Sequence, residues 1–168
     1  GMLNAMTELP KPLIARCHGN AFGGGVGMLS VCDVAIGAEG AKFGLTETRL
    51  GLIPATIGPY VVARMGEAKA RRVFMSARIF DAAEALRMGL ANRVVPRGQA
   101  CAHAIQLARE IAHFPQTCLR NDRASALEQW SLPWEAATAN ETDRGTATLR
   151  SGEARAGASR FAAGEEIG

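Results

Sequence analysis

Three consecutive glycines, Gly23-Gly24-Gly25, with a fourth at Gly27, constrain this chain more than any other feature. They follow the apolar run Leu13 to Cys17 (LIARC), which is set off by Pro10 and Pro12 and reads as a short buried strand. Glycines directly after a strand predict a tight turn into a helix N-terminus, and the apolar stretch Met28 to Cys32 continues that helix. A dinucleotide fingerprint is excluded, because Ser30 and Met28 stand where its last glycine belongs. No Gly-Lys-Ser/Thr follows, so a P-loop is excluded as well. Two readings stay open. The glycines either serve a tight turn and close packing, or they bare helix-start N–H groups that polarise a substrate carbonyl.

Val34 to Gly37 and Ala41 to Gly44 predict two further short strands. Residues 43–63 then carry only two charges, Glu47 and Arg49. A carboxylate in so apolar a stretch loses hydration, which favours its neutral form and suits general acid–base work beside a carbonyl. A surface turn, or a pair with Arg49, is the structural alternative. The pattern turns helical from Ile57 to Ala77 with a break near Gly66. Asp81 with Glu84 three residues on, and Gly89 as a stop, bracket a short helix. Asn92 to Val95 predicts one more strand. Beyond Pro96, residues 102–114, 116–129, 134–150 and 153–162 predict helices with an apolar stripe. The strands are too few and too short for a doubly wound sheet, as though the chain began partway through a fold.

Net charge is +3. Residues 1–96 carry eleven Lys/Arg against seven Asp/Glu, and residues 97–168 carry eight against nine. That mild excess does not call for nucleic acid and suits an anionic small molecule near the first half. The basic stretch Arg64, Lys69, Arg71, Arg72 and Arg78 reads as a solvated face, with phosphate contact or RNA binding as the alternative. Cys17, Cys32, Cys101 and Cys118 lack Cys-x-x-Cys spacing and read as buried free thiols in a reducing compartment. Cys17 with His18, and Cys101 with His103, are spaced to point apart and make poor dyads. No metal site is expected. No apolar run approaches the ~18 residues of a membrane span, and Gly1-Met2 reads as a scar before an initiator Met rather than a signal peptide. A soluble, cytoplasmic protein without a membrane anchor is expected.

Several motifs in fixed order carry a resemblance. His18-Gly19-Asn20-Ala21-Phe22-Gly23-Gly24-Gly25, Cys32-Asp33, Ala41-Lys42-Phe43-Gly44, Glu47 and Leu50-Gly51-Leu52-Ile53-Pro54 resemble the crotonase superfamily, the enoyl-CoA hydratase/isomerase family. Ser76-Ala77-Arg78, Asp81-Ala82-Ala83-Glu84-Ala85, Gly89-Leu90, Val94-Val95-Pro96 and Glu153-Ala154-Arg155-Ala156-Gly157 with Phe161 continue it over essentially the whole chain. The resemblance implies an α/β fold: residues 1–96 as the C-terminal part of a crotonase-type ββα spiral core, and residues 97–168 as a helical oligomerisation region. It implies an acyl-CoA substrate, with coenzyme A as part of that substrate and no separate cofactor, and a homo-oligomer, trimer or hexamer.

By position, Gly24 supplies one oxyanion N–H and Glu47 matches the second glutamate of the hydratases, with Gly23, Gly25 and Gly27 around the pocket. The first hydratase glutamate falls at Gly27, which has no side chain. In this the chain is most similar to methylglutaconyl-CoA hydratase-like members, which implies hydration of a branched or carboxylated enoyl-CoA, with isomerisation also open. Family members also carry an N-terminal portion, supplying the other oxyanion N–H and most CoA contacts, that is not found here. Phe161-Ala162-Ala163-Gly164 further lacks the basic residues that usually follow that Phe. The alternative is therefore a non-catalytic member or subunit that works only with a partner supplying that half.

Overall fold

The computed structural model describes residues 1–165. Two compact units are present, Gly1–Leu9 with Leu13–Leu107, and Pro10–Pro12 with the chain from Ala108 onward. The first is mixed α/β and the second helical.

The first unit opens on helix α1 (Met2–Thr7), followed by strands β1 (Ile14–Cys17) and β2 (Ala21–Phe22) and helix α2 (Gly24–Ser30). Strands β3 (Val34–Ala38) and β4 (Lys42–Gly44) come next, then a 3-10 turn at Glu47–Leu50 and helices α3 (Gly58–Met65) and α4 (Glu67–Ser76). Strand β5 (Ile79–Asp81), helix α5 (Ala82–Met88), strand β6 (Arg93–Val95) and the first eight residues of helix α6 (Ala100–His113) complete the series. Two three-stranded sheets result. One runs β1-β3-β6, parallel throughout, with Ile14 opposite Val34 and Ile36 opposite Arg93. The other runs β2-β4-β5, with β2 parallel and β5 antiparallel to β4.

Short strands need help to hold register, and side chains provide it. Asn92 accepts from the Ala35 N–H at 2.8 Å while its own N–H donates to Ala35 O, so the β3–β6 ladder gains a rung beyond the strand. Asp33 accepts from the Leu13 N–H at 2.6 Å and pins the start of β1. Asn20 accepts from the Lys42 N–H at 2.9 Å and aligns β2 with β4. Between these elements lies one apolar cluster built on Val26, Phe43, Val61, Val73, Phe80 and Leu90. Phe43 and Phe80 stack with ring centres 5.9 Å apart. A smaller cluster joins Ile36 and Val95 to Ala100 at the start of α6.

Several expectations change on contact with the structure. β1 is not a buried strand: it lies at a sheet edge, Arg16 is exposed, and only Cys17 is buried. Arg64 does not belong to a solvated face. Its half-buried guanidinium donates to Cys32 O, Asp33 O, Leu90 O and Asn92 Oδ1, fastening the end of α2 to the start of β6. Among its neighbours, Arg71 pairs with Glu67, and Arg72 and Arg78 both pair with Glu84. Cys17 and Cys32 are buried as expected, but Cys101 is exposed and Cys118 half-buried. Asp81 caps α5 as its spacing implied, accepting from the Glu84 N–H at 2.8 Å, and Gly89 closes that helix at φ 83°.

In the second unit α7 (Gln116–Glu128) is followed by a 3-10 turn at Gln129–Ser131, α8 (Trp134–Arg150) and α9 (Glu153–Ala162). The apolar stripes of these helices stay in the open: Trp130, Trp134, Leu149 and Phe161 are exposed, and Ser125 is the buried residue among those described in this unit. Polar contacts hold the helices instead. Ser125 donates to Glu141, Asn121 to Thr148 at 2.9 Å, and Arg144 pairs with Glu128.

α7 begins at Pro115 with no side-chain cap of its own, so its orphan N–H groups need an acceptor. Glu153, the first residue of α9, provides one, taking the Thr117 N–H at 3.1 Å and the Cys118 N–H at 3.0 Å. The Thr117 backbone bond, with that of Cys118 behind it, holds the Glu153 carboxyl below the usual carboxylate range. A folded-state value below the unfolded one means stability that is present above the unfolded value and lost as pH falls through the folded one. The acid limb of a Tm-against-pH curve is expected to be shallower in Glu153→Gln than in the parent chain. Superimposable limbs would show that the cap contributes nothing.

Candidate functional site

Glu47 is placed by the turn it begins. The 3-10 turn is closed by Gly51 at φ 70°, where an L side chain would be strained, and by the Leu52 N–H donating to Glu47 O at 3.1 Å. Thr48 donates to Phe74 O at 2.7 Å, anchoring the turn to α4. Glu47 itself is half-buried, and its Oε2 is buried with no hydrogen-bond partner. Among the described residues no ion pair joins it to Arg49, so the paired-surface reading does not describe it.

The carboxylate lies against the start of α2. A Cβ built on Gly23 would stand 3.0 Å from Glu47 Oε1, and Gly23 holds φ 50°. Only a residue without a side chain gives the carboxylate this room and adopts that backbone freely. The Gly23 N–H donates to Gly44 O at 3.0 Å, tying the turn before α2 to the end of β4, three residues before Glu47. Gly24 and Gly25 occupy the first helical turn, and their N–H groups meet no acceptor among the described residues. Gly25 packs toward Ala21, whose Cβ would be 3.4 Å from one built on Gly25. Thus Glu47, Gly23 and Gly24 come together. A carboxylate with a bare oxygen beside unpaired amide hydrogens can bind a carbonyl oxygen and exchange a proton one or two atoms away.

Gly27 sits one turn further along α2 and meets a different neighbour. A Cβ there would stand 2.3 Å from Ile57 Cγ2 and 2.7 Å from Ile57 Cβ. Position 27 therefore lacks a side chain, and the space for one is filled. Beside Gly24 opens a cavity of about 520 Å³ whose walls include Leu3, Met28, Ile57 and Tyr60. Tyr60 donates its hydroxyl hydrogen to Asn4 Oδ1 across one side of it. These wall residues escaped the sequence reading. Ile57 lies thirty positions after Gly27 in a Pro- and Gly-punctuated loop, and no periodicity links the two. Tyr60 stood out only as the single tyrosine of the chain.

The enoyl-CoA hydratase/isomerase family profile matches residues 2–166. A Thermus thermophilus chain, provisionally named an enoyl-CoA hydratase, is 34% identical over 148 residues, which is 85% of this chain and 58% of that one. The solved enoyl-CoA hydratase/isomerase of Marinobacter aquaeolei is 30% identical at a TM-score of 0.87, over 98% of this chain and 63% of that one. The enoyl-CoA hydratase of Bacillus anthracis is 27% identical at a TM-score of 0.92, over 97% of this chain and 64% of that one. The chain belongs to the enoyl-CoA hydratase/isomerase family. It spans about three-fifths of the length of the Thermus relative and just under two-thirds of these solved structures. Among the described residues no helix is long and apolar enough to cross a membrane.

The contact at Gly27 is directly testable. Gly27→Ala is expected to lose about 1–3 kcal/mol of stability by overpacking against Ile57, read from urea unfolding. In Gly27→Ala with Ile57→Ala the two costs should fall well short of additive, since each change relieves the other. Additive costs would mean that Ile57 does not occupy that space.

Proposed function

We propose that this chain carries the glutamate side of an acyl-CoA site, acting on an enoyl thioester through an enolate. The Gly24 N–H binds the thioester oxygen and lowers the energy of the negative charge that develops there, helped by the positive end of α2. Glu47, beside Gly23, removes or delivers the proton on the carbons next to that carbonyl. The acyl group is a branched or carboxylated enoyl chain, and hydration across its double bond is the reaction put forward. The observation that carries this reading is the unpartnered Glu47 Oε2 at the start of α2.

With Ile57 in the space beside Gly27, one carboxylate serves both proton steps. Hydration then has Glu47 first orient and deprotonate water and afterwards return the proton to the α-carbon. In the isomerisation alternative, the same carboxylate removes a proton from one carbon and returns it two carbons along. Either course leaves Glu47 as it began.

The exposed Trp130, Trp134 and Phe161 support assembly into a homo-oligomer, trimer or hexamer.

Glu47→Gln keeps shape and removes the ionisable group. Turnover of an enoyl-CoA, followed by loss of the conjugated-thioester absorbance or by solvent deuterium entering the α-carbon, should fall by about 10²–10⁴-fold. The unfolding midpoint should stay within experimental error of the parent. Turnover retained in the variant would remove Glu47 from the mechanism.

A further inference from the structure

We infer that Arg64 is a positioning residue for the candidate site: by holding the chain just after α2, it fixes where the Gly24 N–H points. The inference rests on the reading of Gly24 as the amide that binds the thioester oxygen, and it adds the residue that keeps that amide in place. Helix α2 is poorly equipped to hold itself. It has seven residues, and Gly24, Gly25 and Gly27 are among them. Glycine weakens a helix interior, and so short a helix is marginal without outside support. Its position is therefore set from its two ends. At the front, the Gly23 N–H donates to Gly44 O at 3.0 Å. At the back, Arg64 donates through Nη1 to Cys32 O at 2.9 Å and Asp33 O at 3.2 Å. Its Nη2 donates to Leu90 O at 3.3 Å and to Asn92 Oδ1.

Helix α3 thus meets α2 at two points. Ile57, the N-cap of α3, fills the space beside Gly27. Arg64 follows close to two helical turns later, with the fully buried Val61 between them. Apolar contact is non-directional and lets one helix slide along another. Hydrogen bonds from a planar guanidinium are directional, and this one has acceptors on both sides. Leu90 and Asn92 lead into β6, and Asn92 also accepts from the Ala35 N–H at 2.8 Å. Arg64 therefore refers the end of α2 to the β1-β3-β6 sheet. Lysine would keep the charge and lose the fork, since its compact ammonium does not span acceptors set on two sides.

Infrared difference spectra of 3-methylcrotonyl-CoA, isotopically labelled at its thioester carbonyl carbon and bound to the full chain, test this without requiring turnover. In the parent the carbonyl band should lie below its position in free solution, because an amide bond to the oxygen weakens the C=O. In Arg64→Lys and Arg64→Met the band should move back toward the free position. Turnover should fall about 10–10²-fold in kcat. KM should change by less than about threefold, since a bond to the oxygen strengthens mainly as charge develops there. Val95→Ala, a truncation in the smaller cluster with Ile36 and Ala100, is the control for a merely structural loss. It should lower the unfolding midpoint and leave the band and kcat as in the parent. A parent band at the free position overturns the Gly24 reading and the inference with it. A shifted parent band that the Arg64 variants retain, with only the midpoint lowered, overturns the inference and leaves the Gly24 and Glu47 reading intact. A loss confined to KM does the same. Should Arg64→Met fail to fold, Arg64→Lys decides by these outcomes.

Discussion

The hydrogen bond from the Gly23 N–H to Gly44 O, at 3.0 Å, couples the two halves of the candidate site. It joins the residue that starts α2 to the residue that ends β4, and from Gly44 the chain reaches Glu47 in three steps. It extends the β2–β4 pairing by one bond past Phe22, so the helix start and the 3-10 turn are set by the same pair of strands. Gly23 itself has no place for a side chain. A backbone held at φ 50°, with a carboxylate oxygen 3.0 Å from where a Cβ would be, leaves glycine as the residue that fits. Gly44 is under similar constraint, since a Cβ there would approach the Phe22 ring at 3.2 Å. Close approach of a neighbouring side chain to the backbone is what these glycines allow.

Much of this was legible in the sequence, for identifiable reasons. The start of α2 could be read because a strand followed by glycines has few solutions, and the α5 cap because Asp81 and Glu84 stand at cap spacing. The break between α3 and α4 follows from Gly66, which adopts φ 80°. Other parts carry no local signal. β5 has three residues and gains its identity only by pairing antiparallel with β4. β1 was taken for a buried strand because it is apolar, whereas edge position depends on which strands lie beyond it. Arg64 looked like one of a row of solvated cations. Its hydrogen bonds to Cys32 O, Asp33 O and Leu90 O link residues far apart in sequence, and no spacing rule anticipates them.

The site divides in the same way. Glu47 was conspicuous as one of two charges in an apolar stretch, and Gly24 as part of a glycine run. The walls of the cavity were invisible, because Leu3, Met28, Ile57 and Tyr60 come from four separate elements or loops and are ordinary residues for a core. Helices α7 to α9 show the converse: their periodic apolar faces were plain in the sequence, yet within their own unit those faces cover almost nothing. Periodicity tells that a face exists. What it meets is a property of the folded molecule.

The Gly27–Ile57 contact also bears on how such a chain could change over generations. A lineage placing a carboxylate at position 27 would have to alter both positions. Glutamate at 27 alone collides with Ile57, while a smaller residue at 57 alone opens a void beside the glycine. Each first step is penalised before the second can repay it, so the glycine at 27 sits behind a barrier that selection on one codon at a time crosses only with difficulty. The fit of one isoleucine against one glycine acts as a ratchet on the chemistry available to the fold.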